Sequence, residues 1–518
     1  MTAAKRCLPV NGSGADDPEL TMSLAPLAVG DAPRRASDPS LAPLAVDIDG
    51  TLLRGDLLAE SALAFLRRNP LRIFVLLLWL MRGRAVVKRR LAESTDIDVS
   101  TVPVNEELLA FVEAERRRGR DIHLATASDG LVAAKLAQRF GFFDGVVASD
   151  GRTNLKGEAK ARVLAERFPD GFVYAGDAAA DLPVFRAAQE SVVVAARRST
   201  LRAIEAIRPP LAVIDRAPVT LKTIAKAARV HQWAKNALVA VPLILGGKAS
   251  DLDALVTVLI GFVLLGVLAS STYMLNDLWD LDDDRRHWSK KNRAFASGRL
   301  PIVAGLVAAP IGILIALAGA AMLGWTVLAA FAAYLVATLA YSFKLKQVAV
   351  LDVFMLAGLF TLRLVIGIAL AAVPGSPWLL VFSMFIFSSL SFAKRHTEMV
   401  RVARSGANKA AGRGYVAADA PFLIGMGVAT GMSAVLVMVL YLINEAFRAG
   451  FYATPAALWT FPCVLFLWLG RVWVLSGRDE LNDDPVAFAV KDPVSLALGA
   501  VMALAFLVAV FPTSLLFK

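Results

Sequence analysis

The stretch "AVDIDGT" (45–51) places Asp47 and Asp49 two residues apart at the end of a short apolar run, followed by Gly-Thr. On a strand, residues i and i+2 project to one side. Both carboxylates can therefore serve a single site at the strand's C-terminal end, where open parallel sheets bind ligands. A second apolar stretch, "DIHLATAS" (121–128), ends in the hydroxyl residues Thr126 and Ser128. A third, "GFVYAGDAAADLPVF" (171–185), carries Gly176-Asp177 with Asp181 four residues on. Between them, "NLKGEAKARVL" (154–164) sets Lys156 and Lys160 at the start of a predicted helix. A lone aspartate at a strand end is more often a helix cap than a reacting group. The order of residue types is what points to chemistry.

Far downstream, "YMLNDLWDLDDDRRHWSKKNR" (273–293) spaces Asp277, Asp280 and Asp284 by three and four residues. On a helix these share one face, and Asn276 lies one turn below Asp280. Three clustered carboxylates repel unless a divalent cation joins them. Magnesium takes a few carboxylates and leaves other positions for phosphate oxygens. Arg285, Arg286, Lys290, Lys291 and Arg293 follow directly and could clamp anionic oxygens that the metal does not reach. Simple anchoring by basic residues at a membrane edge explains some of these, but not the acidic half.

Two kinds of scaffold must position these groups. The 518 residues are 57% hydrophobic and 19% charged, unusual for a soluble chain of this length. The apolar residues concentrate after residue 230, where nine spans are expected near 232–247, 252–275, 301–319, 324–341, 350–372, 377–393, 421–444, 455–475 and 494–514. The first is short. Loops after the second, fourth, sixth and eighth spans hold seventeen Lys and Arg, against Lys248, Arg448 and Lys518 on the other side. The basic loops are expected in the cytoplasm, so the net charge of +11 reflects bilayer orientation rather than nucleic-acid binding. No signal peptide is visible, which puts the N-terminal domain on the same side. An integral protein of a bacterial-type inner membrane is the expectation. Cys7 and Cys463 suggest neither a disulfide nor a cysteine metal site.

Residues 1–40, rich in Pro, Ser, Gly and Asp, are expected to be a flexible tail; "SLAPLAV" occurs there at 23–29 and again at 40–46. Residues 41–215 are expected to form a Rossmann-like α/β domain with a small helical cap at about 57–105, and 216–518 an all-α polytopic membrane domain. The cap includes "NPLRIFVLLLWLMRG" (69–83), whose apolar run is too short to span a bilayer. It reads equally as a buried cap helix or as a surface that lies on the membrane or docks on the second domain.

The ordered set Asp47-x-Asp49, Thr126, Lys160 and Asp177-x-x-x-Asp181 resembles the haloacid dehalogenase superfamily of phosphohydrolases, with all four motifs matched between residue 43 and about 200. The resemblance implies that Asp47 is the nucleophile and Asp49 the general acid/base, that Thr126 holds a phosphoryl oxygen, and that Lys160, better placed than Lys156, offsets the charge. Magnesium would be held by Asp177 with Asp181 behind it, together with Asp47 and Asp49. Asn-Asp-x-x-Asp-x-x-x-Asp after the second span resembles the UbiA superfamily of intramembrane prenyltransferases, over residues 220–518. The finer resemblance is to the branch containing decaprenyl-phosphate phosphoribosyltransferase, through "RVHQWAKN" (Arg229 to Asn236), "DRRHWSK", "YSFKLKQVAVLD", Arg363 and "AKRHTEM". It implies a magnesium site at Asp277, Asp280 and Asp284. Substrate contacts are then expected from Lys235, Asn236, Asn276, Arg286, Lys290, Lys291, Arg293, Lys344, Lys346, Asp352, Arg363, Lys394 and Arg395.

Aromatic prenyltransferases of that superfamily usually carry a second aspartate-rich motif after the fourth span. Here that stretch offers Lys344 and Lys346 with Asp352 as its one acid, which suits an additional phosphate better than a second metal-bound diphosphate. Arg363 inside a span is a site candidate by its cost alone. The expected activity is therefore transfer of phosphoribosyl from phosphoribosyl diphosphate to a polyprenyl phosphate, with the phosphatase-like domain dephosphorylating the product. The rival is transfer of a prenyl group from a prenyl diphosphate to an aromatic or other acceptor, the N-terminal domain being accessory or regulatory. A carrier fits poorly, because carriers bind near the midplane and these charges sit on the rim.

Overall fold

The computed structural model describes residues 38 and 40–511 apart from 151–152, 216–217, 288–289, 407, 409–412, 451, 482–487 and 490. Nearly all of the expected tail, with the first "SLAPLAV", lies outside the described residues. The chain packs as two units. One comprises residues up to Leu53, Leu71–Ser100 and Val104–Arg216; the other Arg54–Pro70, Thr101–Pro103 and everything from Ala217. The segment expected as a cap is thus shared out: the helix Leu57–Arg68 packs in the second unit, the helices Ile73–Met81 and Arg84–Ser94 in the first.

The first unit is built on six parallel strands, β1 (Leu44–Val46), β2 (Ile122–Asp129), β3 (Gly145–Ser149), β4 (Val173–Gly176), β5 (Glu190–Val194) and β6 (Ala212–Ile214), in the order β3-β2-β1-β4-β5-β6. Such strands read as apolar runs because helices cover a parallel sheet on its faces; Leu44, Ala45 and Val46 are fully enclosed. The chain leaves β1 toward β2 on one side and later returns to β4 on the other, which opens a crevice at the C-terminal ends of β1 and β4. Val46 pairs with Ala175, and the Asp47 N–H donates to the Ala175 carbonyl at 2.9 Å. The aspartates that follow β1 and β4 therefore face one another.

The second unit contains, among the described residues, eight helices long and apolar enough to cross a membrane: Leu252–Trp279, Ile302–Leu323, Trp325–Phe343, Leu351–Ala371, Pro377–Arg404, Ala417–Arg448, Pro455–Gly477 and Pro493–Val510. Their outward residues, such as Leu259, Val307 and Leu314, remain exposed apolar surface, as lipid-facing residues should. The short first span expected near 232–247 takes another form: a 3-10 helix, Val230–Ala240, running into a brief α-helix, Val241–Leu245. A 3-10 helix rises about 2.0 Å per residue against 1.5 Å for an α-helix. These sixteen residues reach about 30 Å, roughly the hydrocarbon thickness.

Candidate active sites

In the first unit the site begins with Asp47, one residue beyond β1 and 6% exposed. Lys160 Nζ lies 2.9 Å from Asp47 Oδ1 and 3.5 Å from Asp181 Oδ1. It also donates to Tyr174 Oη at 3.0 Å, and Tyr174 in turn donates to Asp181 Oδ2 at 3.0 Å. Carboxylate oxygens of Asp47, Asp177 and Asp181 lie within 4.8 Å of one another, the one such grouping of metal-binding side chains among the described residues. Lys156 is exposed and Lys160 buried, so the helix Glu158–Arg167 aims the second lysine inward. Gly50 adopts φ +79°, and a Cβ there would fall 2.4 Å from Asp177 Oδ2. The turn after Asp49 thus needs glycine both for its backbone and for the approach of Asp177.

Asp49 stands half-buried at the mouth and accepts a 2.7 Å hydrogen bond from Ser128 Oγ. Thr126 is buried beside it and accepts the Ser128 N–H at 3.0 Å. Neither Asp47 nor Asp49 caps a helix. The capping role falls to Asp56 and Asp129, whose side chains accept the N–H groups of Leu58 and Leu131. Burial, with the charges of Asp47 and Asp181, pushes the Asp177 carboxyl up to about 7. Burial raises Asp47 as well, against the opposing pull of Lys160. Two buried carboxylates and the half-buried Asp177, with one ammonium among them, leave excess negative charge, the donor set that a hard divalent cation fits. Tyr174 escaped the sequence reading because a tyrosine on a central strand looks like core; its place two residues before Gly176 was the available signal.

In the second unit the acidic motif is bent. The helix Leu252–Trp279 ends at Asp280, and a short helix, Leu281–Arg286, begins there, so the expected single face is broken between Asp277 and Asp284. The Asp280 side chain leaves the other two to pair with Lys346, at 2.6 Å and 2.7 Å. Asp277 and Asp284 are buried and converge on Arg293, whose Nη1 lies 3.2 Å from one and 2.6 Å from the other. Asp277 also pairs with Arg229. Basic side chains rather than other carboxylates are thus the nearest charges to each acid. Burial raises the Asp284 carboxyl, while Arg293 opposes it. Arg286, Lys290, Lys291 and Lys344 are exposed around this rim, and Asn276 and Lys394 are half-buried.

Three expectations take a different form. Arg285 does not offer its guanidinium to an anion; it grips Glu60 through Nη2 at 2.5 Å and Nη1 at 3.1 Å, both side chains being enclosed within this unit. Asp352 and Arg395, expected to touch substrate, hold each other at 2.5 Å and are fully buried. A buried charge is retained only when paired, so their mutual attraction removes both from a ligand's reach. Tyr415 joins them, donating to Asp352 and accepting the Val350 N–H, each at 2.7 Å.

Deeper in the helices, Arg363 donates to Asn236 Oδ1 at 3.1 Å, to the Leu359 carbonyl at 2.6 Å and to Tyr334 Oη at 2.8 Å. Asn236 is 1% exposed, and its Nδ2 has no hydrogen-bond partner; the same holds for Thr338 Oγ1, one turn from Tyr334. Orphaned donors in a buried polar cluster mark a place where a further polar group belongs. Lys235 lies 6.0 Å from the Phe360 ring that Arg363 also faces. A separate apolar cavity of about 320 Å³ is lined by residues including Leu238, Val241, Leu364, Phe382, Phe387 and Trp468.

Comparison with known proteins matches both units. A family model described as the UbiA prenyltransferase family matches residues 237–491, and one described as haloacid dehalogenase-like hydrolase matches residues 44–186. The uncharacterized protein y4nM of Sinorhizobium fredii is 38% identical over 470 residues, covering 90% of this chain and 91% of that one. Nodulation protein NoeC of Azorhizobium caulinodans is 33% identical over 296 residues, 56% of this chain and 95% of NoeC. Decaprenyl-phosphate phosphoribosyltransferase of Mycobacterium tuberculosis is 34% identical over 201 residues, 38% of this chain and 66% of that enzyme. Among solved structures, a UbiA homolog from Archaeoglobus fulgidus bound to DMAPP and Mg2+ aligns at 15% identity over 55% of this chain and 96% of that one, with a TM-score of 0.42.

Proposed function

Since this chain is an integral membrane protein of the UbiA prenyltransferase family carrying a haloacid dehalogenase-like hydrolase domain, we propose that it makes and then trims a lipid-linked sugar phosphate. The transferase unit moves phosphoribosyl from phosphoribosyl diphosphate to a polyprenyl phosphate, and the hydrolase unit removes the 5-phosphate of the product. The observation that carries this reading is the basic face opposite the acidic motif. Lys346 stands on Asp280, Arg229 and Arg293 on Asp277, and Arg363 with the orphaned Asn236 Nδ2 lies deeper in the same unit. A donor with phosphate at both ends needs cations at both ends. The likeness to decaprenyl-phosphate phosphoribosyltransferase supports it from sequence.

In the transfer, an oxygen of the polyprenyl phosphate attacks the anomeric carbon as the bond from that carbon to the diphosphate oxygen breaks. Magnesium would be held by Asp277 and Asp284 once Arg293 yields them, and by Asp280 once Lys346 yields it, and would supply the charge that makes diphosphate a good leaving group. Arg229, Arg293 and Lys346 are placed to exchange their carboxylate partners for the departing oxygens, and no protein nucleophile is needed. The apolar cavity offers room for isoprenoid units of the acceptor.

In the hydrolase unit Asp47 attacks phosphorus and the sugar oxygen departs, taking a proton from Asp49; water, deprotonated by Asp49, then breaks the aspartyl-phosphate. Ser128 keeps Asp49 oriented, and Lys160 holds the nucleophile while offsetting phosphate charge. Magnesium at Asp47, Asp49, Asp177 and Asp181 would supply the second neutralising charge. The loops bearing the acidic motif would face the cytoplasm of a bacterial-type inner membrane. Purified protein given polyprenyl phosphate and donor labelled in the ribose tests all of this. Labelled lipid is the expected product. Label transfer only from a prenyl diphosphate to a small acceptor would establish the rival reaction.

A further inference from the structure

The helix Ile73–Met81 buries none of its residues. Leu71, Phe74, Leu78 and Met81, spaced by three and four, form one face with exposures of 69%, 65%, 61% and 85%, and Leu77 adds 50% beside them. The opposite side holds the half-buried Leu76 and Trp79. Such a continuous apolar face on a folded unit marks an interaction surface. The helix carries no charge within Ile73–Met81, yet arginines stand at both ends: Arg72 before it, and the exposed Arg82 and Arg84 after it.

We infer that this helix lies in the interfacial layer of the bilayer, its apolar face among the upper acyl chains and its terminal arginines against anionic lipid headgroups. Nine α-helical residues extend about 13.5 Å, less than half the hydrocarbon thickness, so the helix lies along the surface rather than crossing it. The helix is apolar on every side, Ile73, Val75 and Leu80 being 38%, 37% and 53% exposed as well, so its hold on the layer comes from buried apolar area with the arginines left at headgroup height. The same chain carries eight membrane-spanning helices, so bilayer is always within tethering distance and insertion is an intramolecular event. Charge complementarity favours lipid over a protein partner, because the arginines sit at the helix ends, at headgroup height for a helix lying flat. Resting on the proposed reading, the anchor also assigns the phosphatase its substrate class: a phosphate ester presented at the membrane surface rather than free in solution.

The test uses the full-length chain in nanodiscs, with Cys7→Ser and Cys463→Ser, and a nitroxide at Leu78→Cys or, as a polar control, Glu107→Cys. Leu78 is expected to be reached by oxygen and shielded several-fold from a water-soluble nickel chelate relative to Glu107. Arg82→Gln with Arg84→Gln should reduce that shielding in discs of equal phosphatidylglycerol and phosphatidylcholine, but not in phosphatidylcholine alone. Equal nickel access at both labels overturns the inference. Shielding from oxygen and nickel alike overturns it too, since that reports packing on protein. A second arm measures hydrolysis. Leu77→Glu with Leu78→Glu should leave turnover of para-nitrophenyl phosphate unchanged and lower turnover of a polyprenyl-linked phosphate ester several-fold. Equal retention of both overturns the substrate assignment. Absence of any phosphatase activity in the parent chain refutes the proposed function instead, and leaves the labelling result to decide the anchor.

Discussion

Arg293 places one guanidinium nitrogen 3.2 Å from Asp277 and 2.6 Å from Asp284, bridging two carboxylates seven residues apart across a break between two helices. A lysine ammonium ends one bond nearer its Cα than this Nη1, so from the same backbone position it falls short of the point between the two acids. Arg293→Lys is therefore expected to lower transfer more than its retained charge suggests, by about tenfold, and Asp284→Asn by about a hundredfold. Both should leave para-nitrophenyl phosphate hydrolysis intact. Product formation from labelled donor, measured beside phosphate release, checks the separation.

Asp47→Asn removes the nucleophile while keeping its shape and its neighbour Lys160. Phosphatase turnover should fall by about 10⁴-fold or more, with transfer unaffected. Under the proposed sequence of reactions the lipid product then accumulates with its 5-phosphate, which mass spectrometry of the extracted lipid reads directly.

Asp177 gives the phosphatase site a defined pH response. Its folded-state value of about 7 lies above the ordinary 3.8, so the stabilisation it contributes is complete below 3.8 and lost as pH rises through about 7. Magnesium reverses the penalty by pairing with the ionised form. Its apparent affinity for this site should weaken about tenfold per pH unit below 7, and the magnesium-induced rise in melting temperature should be larger at pH 8 than at pH 6. Calorimetry in two buffers of different ionisation heat should detect a released proton near neutrality, absent in Asp177→Asn.

Tyr415 holds the loop that carries Lys346. Val350 there adopts φ +68°, costly for a β-branched residue, and its N–H is tied to Tyr415 Oη. Gly414 leaves no room for a side chain: a Cβ would sit 2.4 Å from the Gln347 carbonyl oxygen and 2.8 Å from the Ala349 nitrogen. Tyr415→Phe should cost about 1–3 kcal/mol by leaving buried partners unsatisfied, and Gly414→Ala should displace the loop. In both, transfer should fall through Lys346 while phosphatase turnover holds. Val350→Gly, which relieves the backbone, should be neutral or stabilising by thermal unfolding.

Asn236→Asp keeps the oxygen that Arg363 binds and removes the orphaned donor. If that donor meets a substrate oxygen, KM for the donor or acceptor should rise about tenfold with the fold intact. An unchanged KM for both would remove Asn236 from the binding surface.

Much of this protein was legible in its linear order. The alternation of apolar and acidic residues ending in Asp47 and Asp49, and the later Gly176-Asp177, specify strands that end in carboxylates, because strand geometry repeats every two residues. Apolar runs of bilayer length specify membrane helices, because lipid cannot satisfy an exposed backbone. Which charge meets which was decided only by tertiary structure. Asp280 turns to Lys346, Arg285 turns to Glu60, and Asp352 and Arg395 neutralise each other. The first span becomes a stretched 3-10 helix, and the helix Ile73–Met81 stays uncovered. Local geometry follows from bonds between neighbours in the chain and can be read from spacing. Charge pairing and burial depend on distances of a few ångströms between segments up to 225 residues apart, as for Arg285 and Glu60, and only folding sets those distances.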